Sequence, residues 1–259
     1  MKFENIRVMN FENAIRGMRN PKNSWDLSDS VFGLWSDKIS ILPTPIMEKT
    51  LLEWQDEPVP DWEILYRDEI EPSLYEYAAI GPKDMKLAQS LIQAGPEHRK
   101  FMRQIFVSVD ITAPLYVWKE IDTYKVGTVA NSTSTMHKLA SAPITRECFE
   151  MDDFHPIEFE GNEVDNIINY CEKLRQEYIK TKDKKIWKEL IRWLPESFLQ
   201  KRTMTMNYEN LLGICSKGQR RFHKLNEWSG IDDNTLENFI KFARGLPYAQ
   251  EFIFIDELT

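Results

Sequence analysis

The amino-acid sequence predicts a mixed α+β fold with more helix than strand, and three features support this prediction. Residues 104–112 alternate between apolar and polar side chains, which is the pattern of a half-buried strand. Residues 163–180 repeat apolar side chains at helical spacing, which indicates a long amphipathic helix. Prolines, glycines and small polar side chains mark the segments between such elements as turns and loops.

The composition is that of a globular protein rather than a disordered one. The chain has 259 residues, of which 42% are hydrophobic and 29% are charged. Its net charge of −8 argues against a general nucleic-acid binder, which carries a basic excess. No apolar run approaches the roughly 20 residues that cross a membrane, and the first residues lack a signal-peptide core. We therefore expect a cytoplasmic protein with neither a membrane nor a nucleic-acid partner.

The familiar short motifs for metals and nucleotides do not occur in this sequence. The three cysteines are far apart and form no C-x-x-C pair, and the four histidines show no H-E-x-x-H spacing. We therefore expect no metal. The sequence also has no G-x-G, so that neither a Rossmann fingerprint nor a P-loop is present. Any flavin or nucleotide must be held by another architecture.

Residues 1–80 are the least regular part of the chain. Five prolines interrupt residues 43–72, and four tryptophans between residues 25 and 62 offer large apolar surfaces. We expect short helices and loops here, packed on a main domain formed by residues 81–259.

Local signals in the main domain predict several helices around the strand. Asp84 is a candidate N-cap for the first of them, and Gly95 is a candidate stop. Pro114 suits the first turn of a helix that reaches about Tyr124. Small hydroxyl and amide side chains predict a loop at residues 127–135. Further helices are expected at residues 186–194, 208–216 and 235–244, the last capped by Asp233 or Asn234.

The polar loop contains the first candidate binding site. Asn131, Ser132, Thr133 and Ser134 offer hydroxyl, amide and backbone N–H groups that can surround an anion. Lys125, His137 and Lys138 can add positive charge. The alternative is an ordinary solvated loop, and the residues alone leave both interpretations open.

Arginines form the second group of candidates, because a guanidinium offers a planar fork of donors to a phosphate or a carbonyl. Arg192, Arg220 and Arg221 are the candidates, and the last two belong to the most basic short stretch of an acidic chain, residues 217–224. The alternative for each is a solvated surface arginine. His98 precedes the predicted strand; a lone histidine is more often structural than functional, and its neighbours alone do not decide between the two.

Several of these segments together resemble the flavin-dependent thymidylate synthases. The family's helix ending in G-H, its strand and its A-P followed by a helix are similar to Gly95 and His98, residues 104–112 and Ala113-Pro114. The family's R-H-R-x-x-S-x-N-E-x-S-x-R-Y is similar to residues 123–137, which are one residue longer. Its R-x-V-L-P, T-x-N and late arginine are similar to residues 192–195, residues 205–207 and Arg220 or Arg221. The resemblance covers roughly residues 80–228.

Residues 123–137, the signature segment, keep some family residues and change others. Asn131 and Ser134 match, and Lys125 keeps the charge of the second arginine. The departures from the family pattern are Thr123, Tyr124, Ser132 and Met136, which stand where the family has arginine, histidine, glutamate and arginine.

The resemblance implies an antiparallel sheet with flanking helices, the fold of the thymidylate synthase-complementing proteins. It also implies a homotetramer that binds FAD and methylates dUMP or a related pyrimidine nucleotide, with NADPH and methylenetetrahydrofolate as co-substrates. The implied catalytic residue is Arg220 or Arg221, which faces the uracil. The implied substrate-binding residues are Glu120, Asn131, Ser132, Thr133, Ser134 and Arg192, and the implied cofactor-binding residues are His98, Thr123, Tyr124, Lys125 and Asn207.

Three functions remain open at this point. The first is reductive methylation of dUMP, or another one-carbon transfer to a pyrimidine nucleotide. The second is a non-catalytic protein that binds a nucleotide or flavin on the same scaffold. The third is a purely structural assembly protein.

Overall fold

The structure is a computed structural model that describes residues 1–35, 75–124, 126–151, 162–220, 222–230 and 237–258. Within these residues, one antiparallel sheet has the strand order β1-β4-β6-β5, and β2 and β3 form a separate two-stranded antiparallel sheet. The strands are β1 (Lys2–Met9), β2 (Val31–Trp35), β3 (Tyr75–Ala79), β4 (Phe106–Pro114), β5 (Val129–Ser132) and β6 (Leu199–Asn207). The expected antiparallel sheet with flanking helices is thus confirmed.

Helices join and cover these strands. In chain order they are α1 (Phe11–Arg19), α2 (Pro82–Gln93), α3 (Leu115–Ile121), α4 (Thr135–Lys138), α5 (Glu163–Thr181), α6 (Lys184–Trp193), α7 (Tyr208–Cys215), α8 (Lys217–Arg220), α9 (Asn226–Ser229), α10 (Phe239–Arg244) and α11 (Ala249–Phe252). The long helix expected at 163–180 and the helix expected at 186–194 are confirmed as α5 and α6.

The core of the main sheet follows from the alternation in β4. Val107, Val109 and Ile111 are fully buried beneath helices, whereas the intervening Ser108 and Asp110 lie on the opposite, more polar face. An antiparallel sheet commonly packs one face and exposes the other. The strand predicted at 104–112 is therefore confirmed, two residues later in the chain. A second, smaller core joins α5 and α6 through Ile168, Cys171 and Leu190.

Long-range pairing explains where the sequence prediction was wrong. Residues 2–9, expected to be short helices or loops, form β1 on β4. Residues 129–132, expected to be loop, form β5, because Val129 to Ser132 pair with β6 from Thr205 to Arg202. Backbone hydrogen bonds to a distant strand outweigh the local preference of small polar residues for turns.

Helix boundaries differ from the sequence predictions at three places. Helix α3 ends at Ile121, before Tyr124, with Pro114 preceding its first residue. Helix α2 begins at Pro82, so that Asp84 lies buried in its first turn and does not cap it. Helix α10 begins after Asn238, whose side chain caps it; the expected caps Asp233 and Asn234 lie outside the described residues.

The described residues contain neither a membrane-spanning helix nor a cluster of metal ligands. Every helix there is too short or too polar to span a bilayer. No three histidine, cysteine or carboxylate side chains in those ranges come together as a metal site would require. The division of the chain at residue 80 stays a prediction, although β1 and α1 contribute to the same sheet and core as the later residues.

Candidate functional site

A cavity of about 240 Å³ lies between α3, β5 and β6. Its apolar walls come from Trp118, Ile121, Ala130 and Met204. Its polar groups come from Asp122, Thr128 and Arg202. Ligand pockets commonly combine apolar walls with a few fixed polar groups in this way.

Arg202 is held firmly at the wall of this cavity. Its guanidinium lies 4.3 Å from the centre of the Trp118 ring, and its Nε donates to Gln200 Oε1 at 3.0 Å. Its Nη1 donates to Asp122 Oδ1 at 3.2 Å. Trp118 is fixed in turn, because its indole N–H donates to the backbone oxygen of Gln200 at 2.9 Å. The arginine is therefore oriented before any ligand arrives.

The predicted polar loop is divided between this cavity and the opposite face of the sheet. Ser132 pairs with Arg202 across the β5–β6 ladder, and directly opposed side chains lie on the same face of a sheet. Asn131 pairs with Thr203 and therefore faces the other side, where Thr203 donates to Asp110. Of these two candidates, the pairing places only Ser132 beside the cavity.

The second half of the predicted loop forms a turn after β5. The backbone N–H and the hydroxyl of Thr133 both donate to the carbonyl of Lys201, at 2.9 and 3.1 Å. The hydroxyl of Ser134 accepts from the N–H of His137 and caps the single turn of α4. Met136, His137 and Lys138 are exposed. This turn is thus ordered by its own hydrogen bonds and open to solvent.

The segment that follows α3 and Tyr124 lies against Asn207. Asn207 ends β6 and caps α7, and its side chain and that of Asn210 exchange hydrogen bonds with each other's backbone N–H at 3.0 Å. Asn210 also donates to the carbonyl of Val126 at 2.6 Å. Gly127 lies against Asn207 with a φ of +78°, a conformation that favours glycine. Two of the expected cofactor residues therefore share one neighbourhood.

Tyr124 belongs to an aromatic group at the end of α3. Its ring centre lies 5.6 Å from that of Trp228, and its hydroxyl accepts from Gln219 at 3.4 Å. Thr123, beside it, is exposed and donates to the carbonyl of Glu120 at 2.7 Å. Lys125, the remaining expected cofactor residue of this segment, lies outside the described residues.

Glu120 faces a histidine that sequence reasoning did not select. The indole N–H of Trp228 donates to Nε2 of His223 at 2.6 Å, so the neutral imidazole carries its proton on Nδ1. That nitrogen lies 3.6 Å from a carboxylate oxygen of Glu120. Burial lowers the pKa of His223 and outweighs the opposing effect of Glu120. The imidazole is therefore neutral at neutral pH, and its protonated nitrogen is the one nearer Glu120.

Arg220, the proposed catalytic arginine, is already ion-paired. Its guanidinium and that of Arg244 both bind Glu257, and both lie over the ring of Phe254. Gln219, the preceding residue, is the one that reaches Tyr124. Arg221, the alternative, lies outside the described residues.

Two other expected residues lie away from the cavity. Arg192 is at the end of α6, half exposed and paired with Glu189 of the same helix. His98 is exposed in the turn after α2. Its neighbour Arg99 binds Glu209 at 3.1 Å, and Glu209 is on α7 close to Asn207. His98 thus lies nearer the Asn207 end of the sheet, and no described contact joins Arg192 to the cavity.

Sequence reasoning missed Trp118, Asp122 and Arg202. Arg202 belongs to Leu199–Asn207, a strand that was not predicted because its first half is polar. The alternation of Thr203 and Thr205 with Met204 and Met206 was the available signal, since it has the period of a strand.

Comparisons with known proteins bear on the fold. No model of a protein family matches the chain, and no curated protein matches it. Two solved structures of flavin-dependent thymidylate synthase from Helicobacter pylori, both with FAD and dUMP, are similar over almost the whole chain. One is 12% identical with a TM-score of 0.55, and covers 97% of this chain and 98% of its own. The other is 14% identical with a TM-score of 0.56, and covers 100% of both chains. The resemblance is confirmed at the level of fold: this chain has the fold of the flavin-dependent thymidylate synthases.

Proposed function

We propose that this protein is a flavin-dependent thymidylate synthase-like enzyme that binds FAD and a pyrimidine nucleotide and methylates dUMP. The observation that carries the proposal is the full-length likeness to two structures that hold FAD and dUMP. NADPH as reductant, methylenetetrahydrofolate as one-carbon donor and a homotetramer complete the proposal.

Individual residues support the proposal in different ways. Ser134 and Thr133, in the exposed turn after β5, are proposed to bind the nucleotide phosphate. Tyr124, His98 and Asn207, which lie toward one end of the sheet, are proposed to contact the flavin. Asn131, Glu120 and Arg192 stay proposed substrate contacts, and Thr123 and Lys125 stay proposed cofactor contacts. FAD, when bound, would supply the hydride transfer that no side chain provides.

Arg220 is proposed to stabilise negative charge that develops on the uracil ring. Its pairing with Glu257 does not exclude this role, because Glu257 also binds Arg244 and would keep one cation if Arg220 turned away. We expect Arg220→Ala to lower kcat more than it raises KM, since a fixed positive charge matters most when negative charge develops on the ring during the reaction. Lys173→Ala, which removes an exposed lysine of α5, is the matched control.

A second candidate is a protein that binds the nucleotide or flavin without catalysis. It is favoured by one observation: Thr123 and Tyr124 stand where the family has arginine and histidine, and Tyr124 is packed on Trp228. Losing a charged hydrogen bond costs about 1.5–3 kcal/mol, which is enough to weaken binding ten- to a hundredfold.

Two measurements separate these candidates. The absorption spectrum of the purified protein, with and without added FAD, tests for flavin binding. Formation of dTMP from dUMP with methylenetetrahydrofolate and NADPH then tests for the enzyme. Flavin binding without dTMP formation favours the second candidate, and binding of neither FAD nor dUMP overturns both. Light scattering tests the tetramer.

A further inference from the structure

The pair formed by Asp122 and Arg202 leaves unused hydrogen-bonding groups at the cavity. In the described part of the chain, Arg202 uses Nε and Nη1, while Nη2 takes no partner. Asp122 uses Oδ1 for Arg202, while Oδ2 takes no partner there. Both residues line the cavity between α3, β5 and β6. The residues that line the cavity therefore include one donor group and one acceptor atom that this pair does not use.

The charges of Arg202 and Asp122 argue against the binding of a simple anion in this cavity. The guanidinium of Arg202 and the carboxylate of Asp122 are joined at 3.2 Å, and their charges cancel. An isolated phosphate would be attracted by the arginine and repelled by the aspartate at nearly the same distance. A neutral group that accepts at one atom and donates at the next suits the pair better, because it satisfies both residues.

The size and the apolar walls restrict the ligand further. A cavity of about 240 Å³ is below the roughly 300–1,000 Å³ of typical ligand pockets, so it suits one ring system rather than a whole dinucleotide. Met204, Ala130 and Ile121 provide surfaces for the faces of a flat ring. An imide edge, in which a ring N–H lies between two carbonyl groups, has the required neighbouring donor and acceptor.

We infer that Asp122 and Arg202 recognise the imide edge of a heterocycle, the group that uracil and isoalloxazine share. Asp122 accepts a hydrogen bond from the ring N–H, and Arg202 donates to the adjacent carbonyl oxygen through Nη2. Stacking on Trp118 and the bond to Gln200 hold the guanidinium in the required plane. The inference rests on the proposed function for its two candidate ligands. It assigns recognition of the ring to two residues that lie outside residues 123–137.

The test measures the affinities of dUMP and FAD for the wild-type protein, for variants of the two site residues and for two control variants. Asp122→Asn and Arg202→Gln each remove one charged hydrogen bond. We expect each to lower the affinity for the affected ligand about 10- to 100-fold. Arg7→Gln and Asp26→Asn, which alter exposed residues of the same types, leave both affinities unchanged. Arg202 packs on Trp118, so thermal unfolding of every variant accompanies the titrations, and Arg202→Lys retains the charge without the fork.

Ligands methylated on the imide nitrogen provide an independent arm. The methyl group removes the ring N–H, so we expect 3-methyl-dUMP or 3-methyl-FAD to bind the wild type about as weakly as the parent ligand binds Asp122→Asn. In Asp122→Ala, the methyl group should lower the affinity less than it does in the wild type, because the carboxylate that accepts from the ring N–H is absent.

The outcomes distinguish this inference from the proposed function. Weaker binding of dUMP alone assigns the cavity to uracil, and weaker binding of FAD alone assigns it to isoalloxazine. If the wild type binds both ligands and neither variant changes either affinity, the inference is wrong while the proposed function stands. If the wild type binds neither ligand, both are overturned. Loss of dTMP formation with unchanged affinities also overturns the inference.

Discussion

Two arginine–aspartate pairs in this protein have opposite surroundings. Asp84 and Arg19 are 0% and 5% exposed, and the carboxylate accepts five hydrogen bonds, from Arg19, the hydroxyls of Ser28 and Ser30, and the N–H groups of Asp29 and Ser30. Asp122 and Arg202 are 42% and 17% exposed and join through a single hydrogen bond beside a cavity.

The difference shows how to separate a structural polar cluster from a binding one. The first carboxylate has no acceptor capacity left, and it joins α1, the approach to β2 and the first turn of α2. Burying an ion pair is tolerated when further hydrogen bonds complete it, and breaking it is costly. The second pair keeps a donor and an acceptor for something else. Residue type is the same in both pairs, so burial and the state of the hydrogen-bonding groups distinguish them.

The largest effect is expected at the buried pair. Asp84→Asn leaves the guanidinium of Arg19 buried without its counter-charge, and we expect the free energy of unfolding to fall by about 3–5 kcal/mol. Urea denaturation measures the change, and Asp26→Asn, at an exposed position, should cost almost nothing. A cost below about 1 kcal/mol for Asp84→Asn would show that the saturated cluster is not structural.

Glu172 provides an intermediate case, a well-bonded carboxylate near the surface. It accepts from Arg175, Gln176 and the N–H of Ile144, and chiefly because of Arg175 its pKa falls from 4.5 to about 2. Its contribution is therefore complete above the unfolded pKa and is lost as the pH falls from about 4.5 toward 2. After solvent screening we expect about 1 kcal/mol.

Unfolding of wild type and Glu172→Gln at neutral pH and at about pH 3 checks this expectation. The wild type should be the more stable protein at neutral pH, and its advantage should shrink in acid. An advantage that stays constant over this range would contradict the assigned pKa shift.

Ser134 extends the comparison to a half-buried hydroxyl in the turn after β5. If its hydroxyl binds the nucleotide phosphate, Ser134→Ala should weaken the binding of dUMP by about 1 kcal/mol, close to a fivefold change in Kd. Ser141→Ala, which alters an exposed serine a few residues later in the chain, is the control. Equal dUMP affinity in both variants and the wild type would remove Ser134 from the site.

The smallest effect on stability is expected at the open pair. Asp122 is 42% exposed, so Asp122→Asn should change the free energy of unfolding by no more than about 0.5 kcal/mol. Denaturation in urea, beside the Asp84 variant, gives the direct contrast. If the Asp122 and Asp84 variants lose similar stability, saturation of the carboxylate is not what distinguishes the two pairs.

Elements with a strong local pattern could be predicted from the sequence. The alternation of Val107, Val109 and Ile111 and the helical spacing in Glu163–Thr181 each specify which side is buried, and burial of that side is what stabilises the element. The motifs that resemble the flavin-dependent thymidylate synthases predicted the fold by a different route: residues 95–98 follow α2, residues 113–114 end β4 and residues 205–207 end β6.

The candidate site was only partly predictable. Tyr124 and Asn207 were selected from the motifs, and they do share a neighbourhood through Val126 and Asn210. Arg220 was selected for its charge, but the partner that holds it, Glu257, lies near the end of the chain. No local pattern indicates which carboxylate a given arginine will meet.

The sequence by itself determined the element types with clear periodicity, the acidic net charge and the family resemblance. The tertiary structure alone decided that residues 2–9 and 129–132 become strands, because their hydrogen-bond partners belong to β4 and β6. It also decided that Arg202 stacks on Trp118 and meets Asp122 beside a cavity. These contacts join residues far apart in the chain, and a short segment carries no information about a neighbour that only the completed sheet provides.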